Sequence, residues 1–529
     1  MGHRMKGEPA FKALHRPPQP APAPDGGKLQ AVSVLDDFSH ASFSDALQLW
    51  PIQPANVTTD LDQIQPDFVF VESAWNGNQG AWLHQLTSPT GPKASVTQLL
   101  DESRTRDIPT VFWNKEDPPH FDEFLPLARR FDHVLTTEGS LVNRYLEEGA
   151  GTAGVLQFAA SPSLHNPRAV EGMRRGGVCF AGQYFRHKYP ERQQQMDMLF
   201  EAASNLPLTI YSRVLGGDDR YQFPERFAAS VVGSLPYTEM VHEYKRHRVF
   251  LNVNSVPQSE TMCARRIFEL AATKTPVVSP HSPAIANTFA KDEVLLVHST
   301  AEARDAIELC LGDAMERRRI GQRAWRRVAR AHLYMHRVSQ IASLIGRDPL
   351  RCAPSLTVLL TTTAAELPSA LDALAEQRVH DLLSEPLRVA VRSRVPGENL
   401  SVEQLRADAR LVAVADHPAR PLDGEFIAGM DTRHRYGRDY LSDQLLLLDR
   451  FPVGSIVTKT PWSGLDEDAT EERDVEVVRR GTWLALRSVA DRLVEFERSA
   501  AEYVDVVAYA SDPFSFVSAD DSAPARWEA

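Results

Sequence analysis

Cysteine is scarce. There are four in 529 residues, Cys179, Cys263, Cys310 and Cys352, all far apart. They form no CxxC pair and no metal-type spacing, which argues against disulfide-stapled scaffolds and cysteine-ligated zinc modules and makes a reducing cytosol the expected compartment. No apolar run approaches the roughly 18 residues of a membrane span. The N-terminus carries basic residues with no apolar stretch behind them, unlike a secretory signal. No strand pattern leads into G-x-G-x-x-G, so a dinucleotide oxidoreductase is a poor reading. Repeats at solenoid spacing are absent. The net charge is -12, so wholesale binding to nucleic acid or to an anionic membrane is not expected.

What is present is a soluble globular composition, 43% hydrophobic and 24% charged. The length exceeds one ordinary core, so several domains are expected. Residues 1–27, with "RPPQPAPAPDGG", read as a disordered tail. Four strands follow: "LQAVSVLDDFS", "DFVFVESAW", "PTVFW" and "HVLTTE". Helical segments such as "ASVTQLLDESRTR" and "SLVNRYLEEG" separate them. Strand then helix, repeated, predicts an α/β domain with a parallel sheet over 28–170. The stretch "SPSLHNPRAVEGMRRG" reads as a linker. A second such series, from "GVCFAGQYF" to a basic helix over 313–345, predicts a second α/β domain over 171–347. "SLTVLLTTT" opens a third segment, 350–529.

In open parallel sheets, ligands bind beyond the carboxyl ends of the strands. Asp36-Asp37, Glu72-Ser73, Asn114-Lys115-Glu116-Asp117 and Thr136-Thr137-Glu138 all stand at such ends. As a set they point to a site, although any single tip also reads as helix capping. Two such domains in series leave a cleft between them, where pockets are common. In the second domain a strand ends near Asn252 and Asn254, and a loop with Ser259 and Thr261 follows. A helix is predicted to open near Met262, with Arg265 and Arg266 in its first turn. Guanidinium groups at a helix start suit a phosphate. Glu269, one turn on, is placed to reach ribose hydroxyls.

"RRIFELAATKTPVVS" resembles the nucleotide-sugar motif of GT-B glycosyltransferases, in which a Glu holds the donor ribose. With "FVESAWNGNQGAW", "PTVFWNKEDPPHF", "FDHVLTTEGS", "FAGQYFRHKYPERQQQM" and "LPYTEMVHEYKRHRVFLNVNS", the chain resembles the CgeB-like (spore-maturation type) glycosyltransferases over residues 30–345. The resemblance implies two Rossmann-like domains facing a cleft, with the donor on the second and the acceptor mainly on the first. It matches Glu269 to the ribose-binding Glu. It sets Arg265, Arg266, Thr261 and Met262 near the diphosphate, and Gly182 and Tyr184 in the loop after the first donor-domain strand. Asn254 joins this donor set. Two departures stand out: Lys274 replaces a small residue of the motif, and Glu260 is one residue out of register with Glu269.

On the first domain, Glu72, Trp75, Trp113, Asn114, Lys115 and His120 are acceptor candidates, the tryptophans by stacking on a sugar ring. Glu116 or Asp117 serves as general base if the enzyme inverts, and as a binding group if it retains. The competing expectation is a structural cluster in which Lys115 pairs with Glu116 or Asp117. The third segment resembles a family 2 (GT-A) glycosyltransferase, but of its acidic metal cluster only Asp431 remains; Thr432, Arg433 and His434 replace the rest. Asp416 and His417 are too few for a metal site. A degenerate GT-A-like domain is therefore expected, serving docking, dimer formation or the holding of a polymeric acceptor. No metal or other cofactor is expected. The leading function is a cytoplasmic glycosyltransferase that moves sugar from a nucleotide-sugar to a cell-surface glycan or glycoconjugate. The alternative is a non-catalytic nucleotide-sugar or glycan-binding scaffold partnering another transferase.

Overall fold

The computed structural model describes residues 27–87, 93–348, 353–400, 408–416, 421–459, 473–479, 482–498, 503–511 and 516–517. Residues 1–26 of the expected tail and His417 lie outside them.

The first domain is a six-stranded parallel sheet: β1 (Gln30–Val34), β2 (Gln48–Pro51), β3 (Phe68–Glu72), β4 (Thr110–Asn114), β5 (His133–Thr136) and β6 (Thr152–Val155). Their order is β2-β1-β3-β4-β5-β6. β3 and β4 are buried along their whole length, as continuous apolar runs covered on both faces should be. β2 and β6 are additions to the four strands expected.

The second domain repeats the plan with β7 (Gly176–Gly182), β8 (Leu208–Ser212), β9 (Val231–Gly233), β10 (His247–Leu251), β11 (Val277–Pro280) and β12 (Leu295–Val297). Their order is β12-β11-β10-β7-β8-β9, again all parallel. The order reverses between β1 and β3 in the first domain and between β7 and β10 in the second. The crevices at such reversals are where open sheets take their ligands.

The basic segment after β12 is two helices, Ala314–Ala331 and Tyr334–Leu344. The second returns to the first domain. Tyr334 packs on Phe43 with ring centroids 4.5 Å apart, and Arg337 donates to the carbonyls of Gln157 and Phe158 at 2.9 Å. The linker is likewise built in: His165 is fully buried, and Lys245 donates to Asn166 Oδ1 at 3.1 Å.

The third domain has a mixed sheet of β13 (Leu356–Thr362), β14 (Leu387–Ser393), β15 (Leu411–Ala415), β16 (Phe426–Asp431), β18 (Ile456–Lys459), β19 (Arg473–Arg479), β20 (Trp483–Leu486) and β21 (Tyr503–Ser511). The order is β15-β14-β13-β16-β20-β18-β21-β19, with β20 antiparallel to both neighbours. A small ribbon pairs β17 (Arg435–Tyr436) with β22 (Phe516–Val517).

This domain docks on the Ala314–Ala331 helix. Arg326 forks onto the fully buried Asp443 at 2.7 and 2.8 Å, and Lys459 reaches the same carboxylate at 3.1 Å. Trp325 lies against Phe451 with centroids 5.6 Å apart. Removing the shared anion would take a carboxylate from two buried cations, of which Arg326 keeps Asp439 at 3.3 Å. Asp443→Ala is expected to cost about 3–5 kcal/mol, read as a lowered calorimetric Tm. An unchanged Tm would show that the docking does not depend on this cluster.

Candidate functional site

At the first domain's carboxyl edge, Lys115 reaches from the tip of β4 across to Asp36, after β1, and to Glu72, at the end of β3, at 3.0 Å. The Asp36 amide also donates to Glu72 Oε1 at 2.6 Å. Three strand tips are thus tied at the order reversal. Burial pushes the Glu72 carboxyl up to about 7 despite Lys115, while Glu72 and Asp36 outweigh burial and hold the Lys115 ammonium above its ordinary value. Lys115 therefore pairs with Asp36 and Glu72, not with Glu116 or Asp117. Glu72 and Lys115 are buried and knit the edge instead of lining it.

Two more candidates turn inward. Trp113 is fully buried; its indole donates to the Leu156 carbonyl at 2.9 Å and its ring packs between Phe43 and Phe158. It has no face left for a sugar. Asp117 is buried and accepts from Asn114 Nδ2 (2.8 Å), Thr136 Oγ1 (2.6 Å) and Tyr145 Oη (2.9 Å). Both Asp117 oxygens are occupied, so Asp117 and Asn114 form a structural hub and not a base or an acceptor contact. Glu116 is half-buried, with its amide held by Ser73 Oγ and Asn114 Oδ1. Trp75 and His120 stack edge-to-face at 5.2 Å and are both partly exposed, so they keep an acceptor role open.

In the second domain the helix starts at Arg266, not Met262, and runs to Ala272. Lys274, after it, adopts φ +55, a left-handed conformation where a small residue would be less strained. Glu269 is fully buried. It accepts from Arg265 Nη1, Tyr237 Oη and Tyr244 Oη, each at 2.9 Å. Arg265, with His165 and Arg266, outweighs burial and holds the Glu269 carboxyl below its usual range. His165 extends the chain: its Nδ1 accepts from the Ser161 amide, leaving Nε2–H to meet Tyr237 Oη at 2.7 Å. From the first domain, Phe38 lies 3.6 Å from the Arg265 guanidinium and edge-on to Tyr237. The domains are closed over Glu269.

Thr261 bridges the domains. Its hydroxyl donates to the Thr137 carbonyl at 2.8 Å and accepts from the Gly139 amide at 2.7 Å. The Met262 amide donates to Ser259 Oγ at 2.8 Å. Asn254 points inward, to Ser279 and the Pro280 carbonyl, and Tyr184 is a core residue against Phe223. Neither faces a ligand.

Gly182 ends β7 at the order reversal, where two arginines meet. Arg266 donates to Tyr244 Oη and the Ala181 carbonyl. Arg192, from the Pro190–Ala202 helix, donates to the Val253 carbonyl and Ser255 Oγ at 3.4 Å, and its buried Nε has no partner. Among the described residues neither forms an ion pair with a carboxylate, although Arg266 acts on Glu269 through space, and burial with the neighbouring Arg266 pushes the Arg192 guanidinium down to about 10. Two neighbouring guanidinium groups with no directly paired carboxylate suit an anion at such a crevice. Arg192 lies in "FAGQYFRHKYPERQQQM", a stretch that carries the resemblance without marking this position as a ligand contact.

Residues 186–343 match the Glycosyl transferase-like family. The second domain is a glycosyltransferase domain. Spore protein CgeB of Bacillus subtilis (strain 168) is 24% identical over 226 residues, 38% of this chain and 68% of that protein. Among solved structures, Anabaena Alr3699/HepE in complex with UDP and glucose is 12% identical, with TM-score 0.41 over 60% of this chain and 99% of that one. Sucrose-phosphate synthase of Thermosynechococcus elongatus is 14% identical, with TM-score 0.38 over 55% and 76%. The first two domains are each built on a six-stranded parallel sheet, and the segment that matches the family lies in the second.

Burial pushes the Asp117 carboxyl from 3.8 up to about 6. The folded chain keeps this proton where the unfolded chain has lost it. Stability is thus highest below the unfolded value and falls as pH rises through the window. Two pKa units correspond to about 3 kcal/mol. Asp117→Asn is expected to flatten this fall in urea midpoints taken from pH 4 to 7. Equal slopes in both chains would remove Asp117 from the account.

Proposed function

We propose that the protein transfers a sugar from a nucleotide-sugar to a glycan or glycoconjugate at the cell surface, in the cleft between the first two domains. One observation carries this: the Arg192–Arg266 pair, with no directly paired carboxylate among the described residues, at the crevice of a glycosyltransferase domain. A nucleotide diphosphate supplies the missing charge, and neutralising it stabilises the group that departs from the anomeric carbon. In an inverting route Glu116 takes the acceptor proton as the hydroxyl oxygen bonds to that carbon and the phosphate oxygen leaves. In a retaining route Glu116 binds the acceptor. Trp75 and His120 offer the acceptor a stacking edge. Glu269 reaches the ribose only after Phe38 and Arg265 shift. That closed packing favours a second reading, a scaffold that binds nucleotide-sugar without turnover. Release of free nucleotide from UDP-, GDP-, CDP- and dTDP-sugars separates the two.

Calorimetric titration with the four nucleoside diphosphates tests the donor site. Arg192→Ala and Arg266→Ala each lose charged hydrogen bonds of about 1.5–3 kcal/mol, so affinity should fall roughly ten- to hundred-fold. Full affinity in both variants would sink the assignment. Glu116→Gln should lower turnover by roughly 10²- to 10⁴-fold with nucleotide affinity kept, if it is the base. Normal turnover removes it from that role.

A further inference from the structure

The third domain contains a cavity of about 330 Å³ at the carboxyl ends of β13 and β16. Its floor is Leu360 and Met430, direct neighbours in the β13–β16 register, with Leu374 and Tyr436 beside them. It stays open because, apart from Leu374, the Leu367–Ala375 helix offers the small residues Ser369, Ala370 and Ala373 on that side. One wall is polar. Thr432 Oγ1 donates to Glu366 Oε2 at 2.6 Å, and Arg394 Nη2 donates to Thr432 Oγ1 at 2.6 Å. Behind them Arg394 and Arg433 both grip the fully buried Asp431, at 3.2 and 3.0 Å. The buried Arg394 Nε has no partner.

We propose that this cavity is a carbohydrate pocket that takes one neutral hexopyranose ring of the acceptor glycan. The identity of the ligand as acceptor rests on the glycosyltransferase reading; the binding itself does not. A pyranose has an apolar C–H face and an edge of hydroxyls that donate and accept. The floor fits the face, and the Glu366–Thr432 wall, braced from behind by Arg394, fits the edge. The size is at the lower end for small-molecule sites, about 300–1,000 Å³, and suits one ring better than a nucleoside diphosphate. The charges agree. Hydrogen bonding from Thr432 keeps Glu366 ionised, and that carboxylate repels phosphate. Arg394 and Arg433 are committed to Asp431 and Glu366, and the one arginine among the lining residues, Arg435, is solvent-exposed. Asp431, in turn, is neutralised where a divalent cation would otherwise bind.

The test is saturation-transfer NMR on the full chain with methyl α- and β-glucopyranoside, methyl galactopyranoside and N-acetylglucosamine, each with and without UDP. At least one sugar should receive saturation, and UDP should not displace it. Ala370→Phe, which fills the cavity from its open side, should abolish the signal. Glu366→Gln should weaken binding about tenfold through loss of a charged acceptor. Calorimetry with UDP on Ala370→Phe should give wild-type affinity, which keeps this result separate from the donor site. Displacement by UDP would make the cavity a nucleotide site and overturn the proposal. So would a signal that persists in Ala370→Phe at an unchanged Tm, or no transfer to any of the four sugars.

Discussion

The assembly of the first two domains depends on one buried carboxylate. Glu269 gathers Arg265, Tyr237 and Tyr244, and through Tyr237 it engages His165 of the linker. Arg265, held by that carboxylate, presents its face to Phe38 of the other domain. A buried anion with this many donors is strongly destabilising to remove, because its partners are left uncompensated. Glu269 is therefore a poor probe of ligand binding by substitution: loss of structure and loss of ribose contact would look alike. Arg192 is a better probe, since its recorded bonds go to the Val253 carbonyl and Ser255 Oγ, whereas Arg266 donates to Tyr244 Oη within the Glu269 cluster.

Much of the fold was legible because buried parallel strands are written as apolar runs, as in "FVFVE" and "TVFWN". The missed strands are short edges: "QLWP" exposes both ends, and "TAGV" is only half-buried. The same burial that makes a central strand visible hides which face each side chain takes. Nothing in "TVFWN" says that Trp113 turns to the core while Trp75, in the loop after β3, stays near the surface. Glu116 and Asp117 are adjacent, yet one is half-buried and the other takes three hydrogen bonds inside the domain. Loop direction is set by partners such as Tyr145, 28 residues away. Arg192 became visible only once β7 and β10 were seen to be neighbours, which brings its helix beside the Val253–Ser255 loop.

The third domain shows a related substitution of means. Where its sequence resemblance implies acids around a cation, two guanidinium groups close on Asp431. The charge that would have held a metal is satisfied within the chain. What is left beside it is a half-apolar hollow with Glu366 on its polar wall, in a domain docked through the Arg326–Asp443 contact.

The Thr261 bridge has a consequence for how these sequences can drift. On the first domain both partners of the Thr261 hydroxyl are main-chain atoms, the Thr137 carbonyl and the Gly139 amide, while the Gln157 side chain donates to the Thr261 carbonyl at 2.8 Å. Any side chain at 137 can supply that carbonyl, so the buried Thr137 is limited by packing and not by the bridge. Position 139 is limited by the bridge itself, since a Cβ there would come 3.1 Å from Thr261 Cγ2. Among descendants of a common ancestor, residues 139 and 261 should change together or not at all, whereas 137 leaves no record of the contact it makes.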